Sequence, residues 1–297
     1  MIEKRELQMK KYLKMMSCFI VITIMIFSEV WISYTRLQIN EFSYSPAKRT
    51  DSLTVLVIAD LHNHEFGSGN TKLVDKIQAQ NTDLILMAGD FLNANSKDAH
   101  VPLEFIENLG TAIPIYFSLG NHEIDYMNAG HPELIEELEE AGAIVLEKEY
   151  EDIKINGTTL RIGGMYDYAF GAGDVDNEAA LAEPEVKAFL EDFQNTDSLK
   201  IMMAHRPDSF IFGDASKAWD IDLVVSGHLH GGQVVVPFMG GLYGGDQGFF
   251  PEYIHGMYEK DDMNIFITSG LGSHTQLLPR FNNPPEIAVI HVGQDIK

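Results

Sequence analysis

The chain has 297 residues, 45% of them hydrophobic, which is enough for a substantial core in one large domain or two small ones. It carries 21 basic and 44 acidic side chains, so its net charge of −23 repels nucleic-acid phosphates and we expect no nucleic-acid partner. The single cysteine, Cys18, excludes an intrachain disulfide and a cysteine-based zinc site, and it does not indicate a compartment.

An apolar segment near the N-terminus predicts one membrane-spanning helix. Residues 15–34 approach the ~20 residues that a span needs, and Trp31 and Tyr34 suit a membrane interface. Residues 1–14 carry five basic and two acidic side chains, so the positive-inside rule places this basic N-terminus in the cytoplasm. We therefore expect a single-pass protein with a signal anchor at 15–34 and its domain outside the cytoplasm. The alternatives are a cleaved signal peptide, although no small-x-small site follows, and a buried helix of the domain.

The polar segment 35–52 contains Pro46 and predicts a linker before a domain at residues 53–297. From residue 53, apolar runs of strand length alternate with helical patterns about every 30 residues. Such a rhythm predicts parallel strands joined by helical crossovers. The predicted strands are 53–59, 84–88 and 113–119, and the predicted helices are 71–80, 102–109 and 132–141.

The second half of the domain is richer in strands. An Asn156-Gly157 turn predicts a hairpin of residues 151–155 and 158–163. A long loop at 237–251 is rich in glycine and aromatic residues, and a loop of that length beside a site is more often substrate-facing than idle. A helix is expected at 177–194, and further strands at 200–204, 221–226, 233–236, 264–268 and 286–292.

Five short polar clusters stand at the ends of apolar runs, where open α/β sheets gather their ligands. Their Asp, Asn and His side chains are ligand types that two-metal sites use. Each cluster alone has a structural reading, such as a helix cap, a turn or a core histidine, and their occurrence together favours a metal site. The clusters are Asp60-Leu61-His62, Gly89-Asp90, Gly120-Asn121-His122-Glu123, Ala204-His205-Arg206 and Gly227-His228-Leu229-His230.

A site for two dications ~3.5–4 Å apart must contain a bridging carboxylate. The repulsion between the ions is on the order of 16 kcal/mol at an effective dielectric constant near 20. Asp90 is the natural bridge, because Asp60 is already paired with His62 two residues later. The clusters thus indicate metal-assisted hydrolysis.

This ordered series resembles the calcineurin-like metallophosphoesterase superfamily over residues 53 to about 292. More narrowly, the segments at 204–208, 227–233 and 284–287 resemble membrane-associated bacterial phosphodiesterases related to UDP-2,3-diacylglucosamine hydrolases. The resemblance implies a mixed α/β fold in which two packed mixed β-sheets are flanked by helices, a four-layer sandwich that follows the N-terminal span.

The resemblance also implies a site. Asp60, His62 and His230 would hold one divalent metal ion, and Asn121, His205 and His228 the other, with Asp90 bridging. The ions would be manganese, iron, zinc or similar, since this donor set does not decide between them. The implied mechanism is attack on phosphorus by a bridging hydroxide, with His122 as the general acid.

Two neighbours of the ligands have further expected roles. Glu123 would either orient His122 or cap a helix. Asn93 stands where an Asp often follows in relatives, and we expect this departure to alter a contact behind the ligands rather than the ligand set.

We therefore expect a membrane-anchored phosphodiesterase or pyrophosphohydrolase that acts on a phosphate ester, lipid-linked or containing a nucleotide. The alternatives are a phosphomonoesterase and a non-catalytic, metal-stabilised binding protein at the membrane. Arg280 and Tyr243 are candidates for substrate contact, against the simpler readings of a surface arginine and loop packing. A hydrolase of lipid-linked sugar nucleotides would work at the cytoplasmic face, so either the substrate or the expected orientation differs from that of the relatives. Oligomeric state is not indicated.

Overall fold

The computed structural model describes residues 2–48, 50–166, 170, 177–273 and 278–293, which contain both helices and strands. The α-helices are α1 (Ile2–Thr35), α2 (Thr71–Gln78), α3 (His100–Leu109), α4 (Asn121–Asn128), α5 (Leu134–Ala141), α6 (Pro184–Phe193), α7 (Asp208–Ile211) and α8 (Ala215–Ala218). The strands are β1 (Gln38–Tyr44), β2 (Leu53–Ile58), β3 (Leu84–Ala88), β4 (Ile115–Ser118), β5 (Ile144–Val145), β6 (Glu149–Ile155), β7 (Thr158–Met165), β8 (Leu199–Ala204), β9 (Leu223–Ser226), β10 (Val235–Val236), β11 (Gly240–Gly241), β12 (Gly256–Lys260), β13 (Met263–Ile267) and β14 (Glu286–Val292).

The strands form two six-stranded mixed sheets and one small hairpin. The first sheet has the order β1-β14-β2-β3-β4-β5, and the second has the order β12-β13-β9-β8-β7-β6. In the first sheet β2, β3, β4 and β5 run parallel, and in the second β7, β8, β9 and β13 run parallel. Strands β10 and β11 pair separately as an antiparallel hairpin.

Each sheet lies between a layer of helices and the other sheet. In β2, Leu56 and Ile58 share a hydrophobic cluster with α2, α3 and α5, whereas Val55 and Val57 share another with β8, β9 and β13 of the second sheet. Successive side chains of a strand point to opposite faces, so both faces need apolar residues and the run is continuously hydrophobic. Helices α6, α7 and α8 cover the outer face of the second sheet. The predicted four-layer sandwich is confirmed.

The prediction of a linker over residues 35–52 is wrong for its central part. Residues Gln38–Tyr44 form β1, which pairs in parallel with β14 at the edge of the first sheet, from Gln38 opposite Glu286 to Tyr44 opposite Val292. Most of β1 is exposed or half-buried, and only Tyr44 is buried. An edge strand keeps one side in solvent, so its polar composition resembles that of a linker.

Helix α1 continues without interruption from the basic N-terminal residues to Thr35. It is long and apolar enough to cross a membrane, and the side chains of its apolar stretch are not buried against the rest of the protein. Its last turn behaves differently, because Ser33 is fully buried. The helix therefore ends in contact with the domain.

Smaller differences concern the ends of elements. The helix predicted at 177–194 begins at Pro184, which fits the first helical position because its missing N–H has no partner to lose there. The strand predicted at 233–236 shortens to β10. Helix α4 and strand β12 were not predicted.

Candidate metal centre

The five polar clusters meet at the carboxyl ends of the central strands of both sheets. Asp60, Asp90 and Asn121 follow β2, β3 and β4 of the first sheet. His205 and His228 follow β8 and β9 of the second. Since the parallel strands within each sheet end at the same edge, their loops face one another across the sandwich.

The ligand atoms form overlapping groups whose members lie within 4.8 Å of one another. In one group, Asp60 Oδ1 lies 4.0 Å from His62 Nε2 and 3.9 Å from His230 Nε2. In a second, His205 Nε2 lies 3.0 Å from Asp90 Oδ2 and 3.3 Å from His228 Nδ1. Asp90 Oδ2 is also 3.8 Å from His62 Nε2, so this carboxylate stands between the two groups. The structure thus brings together the Asp and His residues that the resemblance assigns to the metals, and Asn121 lines the adjoining cavity.

Asn121 gives an independent test of whether the cluster suits a cation. Its Oδ1 atom is buried and has no hydrogen-bond donor among the described residues. A buried amide oxygen without a partner costs about 1–3 kcal/mol by protein mutational data, and a coordinated divalent cation removes that cost. Oxygen and imidazole nitrogen donors in one buried cluster suit a borderline divalent metal. The residues present therefore fit a metal centre.

The ligand loops hold an unfavourable backbone conformation. The left-handed region is occupied by Asp60 (φ 56°), His62 (φ 50°), Asp90 (φ 58°), His228 (φ 68°) and His230 (φ 46°). Non-glycine residues in this region cost on the order of 1–3 kcal/mol each and persist where the surroundings impose them. Backbone hydrogen bonds impose it here, from Asp60 N–H to Gly89 O (2.9 Å) and from His62 N–H to Asp90 O (3.0 Å).

Gly120 permits the close approach of the third loop. A Cβ atom at this position would lie 2.2 Å from Asp90 Oδ1. The neighbouring His122 N–H donates to the same Oδ1 atom at 2.9 Å. Only glycine lets the loop after β4 pack against the Asp90 carboxylate in this way.

Hydrogen bonds behind the ligands orient the imidazole rings. His205 Nδ1–H donates to Ala88 O at 2.6 Å, which directs Nε2 towards Asp90. His62 Nδ1–H donates to Asn93 Oδ1 at 3.1 Å, and the Asn93 amide donates back to His62 O at 3.1 Å. Such partners fix the tautomer and orientation of a ligating histidine. Asn93 therefore acts behind the ligand set, as the sequence predicts.

Glu123 fastens two ligand loops together. Its buried carboxylate accepts hydrogen bonds from the backbone N–H groups of Asp90 (2.7 Å), Phe91 (2.8 Å) and Gly120 (2.8 Å). The last of these caps the N-terminus of α4. Of the two predicted roles for Glu123, helix capping is the one these contacts confirm.

Burial and mutual charge dominate the electrostatics. Burial raises the pKa of Asp60 to about 7, against the attraction of His205. Burial also acts on His205, but attraction and a hydrogen bond to Asp90 outweigh it and raise the His205 pKa to about 9. Burial holds the pKa values of His228 and His230 well below their usual range, so both are neutral donors. Two buried carboxyl groups surrounded by imidazoles, two of them neutral, form an arrangement that bound cations stabilise.

His122 stands beside this cluster and faces a cavity of about 510 Å³. Ala94 N–H donates to His122 Nδ1 at 2.9 Å, so the neutral ring carries its proton on Nε2. His122 Nε2 lies 4.0 Å from Asp90 Oδ2. The Nε2 proton of His122 thus points towards the space where a group bound at the ligand cluster would lie.

The cavity wall includes one of the two predicted substrate contacts. Tyr243, from the long glycine-rich loop, lines the cavity. Besides the predicted ligands and His122, the wall contains Leu229, Gln233, Gly245 and Leu278. Gly245 belongs to the loop predicted to face the substrate, and Leu229 and Gln233 belong to the segment 227–233, whereas Leu278 had no sequence signal.

Arg280 is a correction to the prediction of a substrate contact. Its side chain is fully buried, and its guanidinium donates to backbone carbonyls, with Nη1 reaching Ser269 and Gly272 at 2.9 Å each. Nε donates to Asn283 O at 3.0 Å, and Nη2 donates to Gly270 O at 3.2 Å and to Asn283 Oδ1 at 3.2 Å. These contacts use the donors of the guanidinium, so Arg280 organises the loop before β14 and offers nothing to a substrate.

The fold and the site together define a metallophosphoesterase. The family model of calcineurin-like phosphoesterases matches residues 53–232, more than half of the chain. This chain belongs to the calcineurin-like phosphoesterase family.

Relatives within the family are distant. An uncharacterised metallophosphoesterase of Campylobacter jejuni is 28% identical over 81% of this chain and 59% of its own length, so this chain spans little more than half of that relative. The phosphodiesterase YaeI of Escherichia coli is 26% identical over 80% of this chain and 81% of its own length. The solved structure of Haemophilus influenzae NAD nucleotidase is similar over 74% of this chain and 45% of that chain, with 19% identity and a TM-score of 0.46.

Proposed function

We propose that this chain is a membrane-anchored, metal-dependent phosphodiesterase or pyrophosphohydrolase. The observation that carries the proposal is the position of His122 Nε2, which stands beside Asp90 of the ligand cluster and faces the cavity. The similarity to a protein named as a phosphodiesterase supports the same reading. The metals would be held by Asp60, His62, Asp90, Asn121, His205, His228 and His230.

The chemistry divides between the metals and the chain. When bound, two divalent ions supply charge neutralisation at the phosphoryl oxygens and an activated water nucleophile. His122 assists the leaving group: as the ester P–O bond breaks, its Nε2–H donates a hydrogen bond to the leaving oxygen, which takes the proton that the attacking water releases and departs as an alcohol. Asp90 and Ala94 hold the backbone and ring of His122 in position for that hydrogen bond.

The cavity wall favours a diester over a monoester. A phosphodiester carries one negative charge, whereas a phosphomonoester approaches two near neutral pH. Among the described residues that line the cavity, none is lysine or arginine, and Leu229, Leu278 and Tyr243 form an apolar side. Such a wall accommodates a second ester substituent and offers no further cation to a dianion.

Turnover of bis(p-nitrophenyl) phosphate compared with that of p-nitrophenyl phosphate tests the proposal. The full chain in detergent, supplied with manganese, iron or zinc, should prefer the diester. A preference for the monoester would favour the phosphomonoesterase alternative. Silence towards both esters would favour a metal-stabilised binding protein.

His122→Asn should lower turnover of a diester with a poor, alkyl leaving group by about 10²–10³-fold, the size of losing one donor to a developing oxyanion, and leave the metal content unchanged. His100→Asn is the matched control, because His100 is exposed at the start of α3. Equal turnover of His122→Asn and wild type would remove His122 from the mechanism. Loss of metal from His122→Asn would make it a ligand instead.

The anchor belongs to the same proposal. Helix α1 has the length and composition of a span, and we place its basic N-terminal end in the cytoplasm and the domain outside. Protease added to intact cells should digest the domain. Protection in intact cells, with digestion after lysis, would reverse the orientation.

A further inference from the structure

Exposed apolar side chains outside α1 are concentrated in one loop, residues 237–251. Among the described residues, the large apolar side chains exposed there belong to Phe238, Met239, Tyr243, Phe249 and Phe250. Elsewhere in the part of the domain that the structure describes, only Ile144 and Leu181 are comparable. Phe238, at the tip of the β10–β11 hairpin, has its ring fully in solvent. The loop thus carries four exposed aromatic side chains and one exposed methionine within 15 residues.

Two of these phenylalanines also hold a strained backbone. Phe238 has φ 69° and Phe250 has φ 54°, in the left-handed region that asparagine or glycine adopts at lower cost. Neither ring gains full burial within the domain in exchange. Bulky aromatic residues at strained, exposed positions indicate that the rings are buried in something outside the chain.

The charge of the loop restricts which environment outside the chain can bury these rings. Asp246 is the only charged residue of 237–251, in a chain of net charge −23. An acidic protein is repelled by anionic lipid headgroups, so electrostatic attraction cannot hold this domain to a bilayer. An uncharged aromatic loop enters the membrane interface through its apolar area instead.

The base of the loop and the end of α1 are tied to the same short segment. Asn283 N–H donates to Ser33 Oγ in the last turn of α1 at 3.2 Å. The neighbouring Asn282 amide donates to Val235 O, in the first strand of the hairpin, at 3.0 Å. The hairpin and the helix therefore leave the domain from adjoining positions.

The catalytic cluster adjoins the same helix end. The Asn283 side chain donates to the carbonyl of the ligand His230 at 2.7 Å, so two hydrogen bonds connect His230 with Ser33. On the other side, His64 Nε2–H donates to Tyr34 O at 2.9 Å, and His64 lies two residues after the ligand His62. Hydrogen bonds thus link the ligand cluster to the end of the apolar helix on two sides.

We propose that residues 237–251 insert into the bilayer that α1 crosses, and that the cavity therefore takes the phosphodiester of a lipid headgroup at that surface. This inference rests on the proposed function and anchor. In the reaction a water oxygen bonds to phosphorus and one ester P–O bond breaks. The leaving oxygen accepts a hydrogen bond from His122 Nε2–H and takes the proton that the attacking water releases, and the products are a phosphomonoester and an alcohol.

Depth-dependent quenching tests the membrane contact without any enzymatic readout. Full-length Phe238→Trp is placed in phosphatidylcholine nanodiscs with brominated acyl chains, and Leu181→Trp is the matched control on an exposed apolar position elsewhere. The signal of wild type, which contains Trp31 and Trp219, is subtracted from both. Bromines should quench Trp at 238 and spare Trp at 181. Equal quenching at the two positions would overturn the proposal.

Substrate delivery is tested with Phe238→Asn, since asparagine tolerates the left-handed backbone and preserves the fold. The measured quantity is turnover of phosphatidylglycerol in phosphatidylcholine vesicles, read as the phosphomonoester signal in ³¹P NMR, divided by turnover of bis(p-nitrophenyl) phosphate. The ratio should fall about tenfold or more, since one membrane-buried phenylalanine contributes affinity of that order. Leu181→Asn should leave the ratio at the wild-type value.

An unchanged ratio in Phe238→Asn would overturn the lipid-surface role of the loop. A wild-type protein that hydrolyses bis(p-nitrophenyl) phosphate but neither phosphatidylglycerol nor the phosphatidylcholine of the vesicles would overturn the lipid substrate. Silence of wild type towards both esters would instead be a failure of the proposed function, and the quenching result would then decide the membrane contact alone.

Discussion

Replacing Glu286 by glutamine should destabilise the domain in a pH-dependent way. Glu286 begins β14 and is fully buried. Its carboxylate accepts hydrogen bonds from Asn40 in β1 (2.6 Å) and from Thr268 Oγ1 after β13 (2.7 Å), and it pairs with His255 before β12 (2.7 Å). It therefore joins an edge of the first sheet to an edge of the second, close to the loop that packs against Asp60.

The magnitude follows from the pKa of Glu286. Burial alone would raise it, but the hydrogen bond and charge of His255, with the bond from Asn40, lower it from 4.5 to about 2. A difference of that size corresponds to about 3 kcal/mol of stability for the ionised form. Because the folded pKa is the lower one, this contribution is complete above about pH 4.5 and is lost as the pH falls towards 2.

His255 limits the contribution on the alkaline side. Its partner Glu286 raises the His255 pKa above 6.5, against the opposing effect of burial. That share of stability is complete below pH 6.5 and is lost as the pH rises through the raised pKa. It is the smaller share, because the His255 side chain is 36% exposed and solvent screens it. The pair is therefore strongest between about pH 4.5 and 6.5.

Thermal unfolding of the full chain in detergent at pH 5.5 and pH 3 measures this effect. At pH 5.5, Glu286→Gln should melt about 6–10 °C below wild type, and the gap should narrow by more than half at pH 3. Glu259→Gln, an exposed glutamate in β12, should match wild type at both pH values. A gap that is absent at pH 5.5, or equal at the two pH values, would refute the reasoning.

Three substitutions examine the supports of the metal centre. Glu123→Gln turns an amide NH₂ group towards backbone N–H donors. The free energy of unfolding, measured in denaturant titrations, should therefore fall by about 2–4 kcal/mol. Glu140→Gln, at an exposed position, should have no effect. Asn93→Asp keeps the oxygen acceptor for His62 Nδ1–H and adds a negative charge. The metal dissociation constant, measured by competition with a chelator, should therefore decrease up to about tenfold. An increase would contradict the role of residue 93 in orienting His62. Gly120→Ala places a methyl group 2.2 Å from Asp90 Oδ1 and should abolish metal retention measured after gel filtration. Gly130→Ala strains its own backbone (φ 121°) but meets no neighbouring atom, so it should retain metal.

Burial pattern explains which parts of the fold were predictable from sequence. Strands β2 and β3 are covered on both faces, so their continuous apolar runs stand out. Strand β1 lies at an edge and carries polar residues on its open side, so local composition could not distinguish it from a linker. Its pairing with β14 joins residues about 250 positions apart, which no local pattern reports.

In the site, too, residues with a local sequence signal could be predicted, and contacts between distant loops could not. Ligand types at strand ends are a local signal, so Asp60, Asp90 and Asn121 could be recognised. The contacts behind them, such as Asn93 with His62, depend on how loops meet in space. Arg280 was misjudged because a charged side chain is ordinarily exposed, whereas here backbone carbonyls satisfy its buried guanidinium.

Metal content measured by elemental mass spectrometry tests the central claim most directly. Full-length wild type purified with manganese, iron or zinc should carry about two divalent ions per chain. Asp90→Asn, at the residue between the two ligand groups, should lose most of that metal, and Asp75→Asn, at an exposed position in α2, should retain it. A metal-free wild type, or an Asp90→Asn protein with the full wild-type content, would contradict the account.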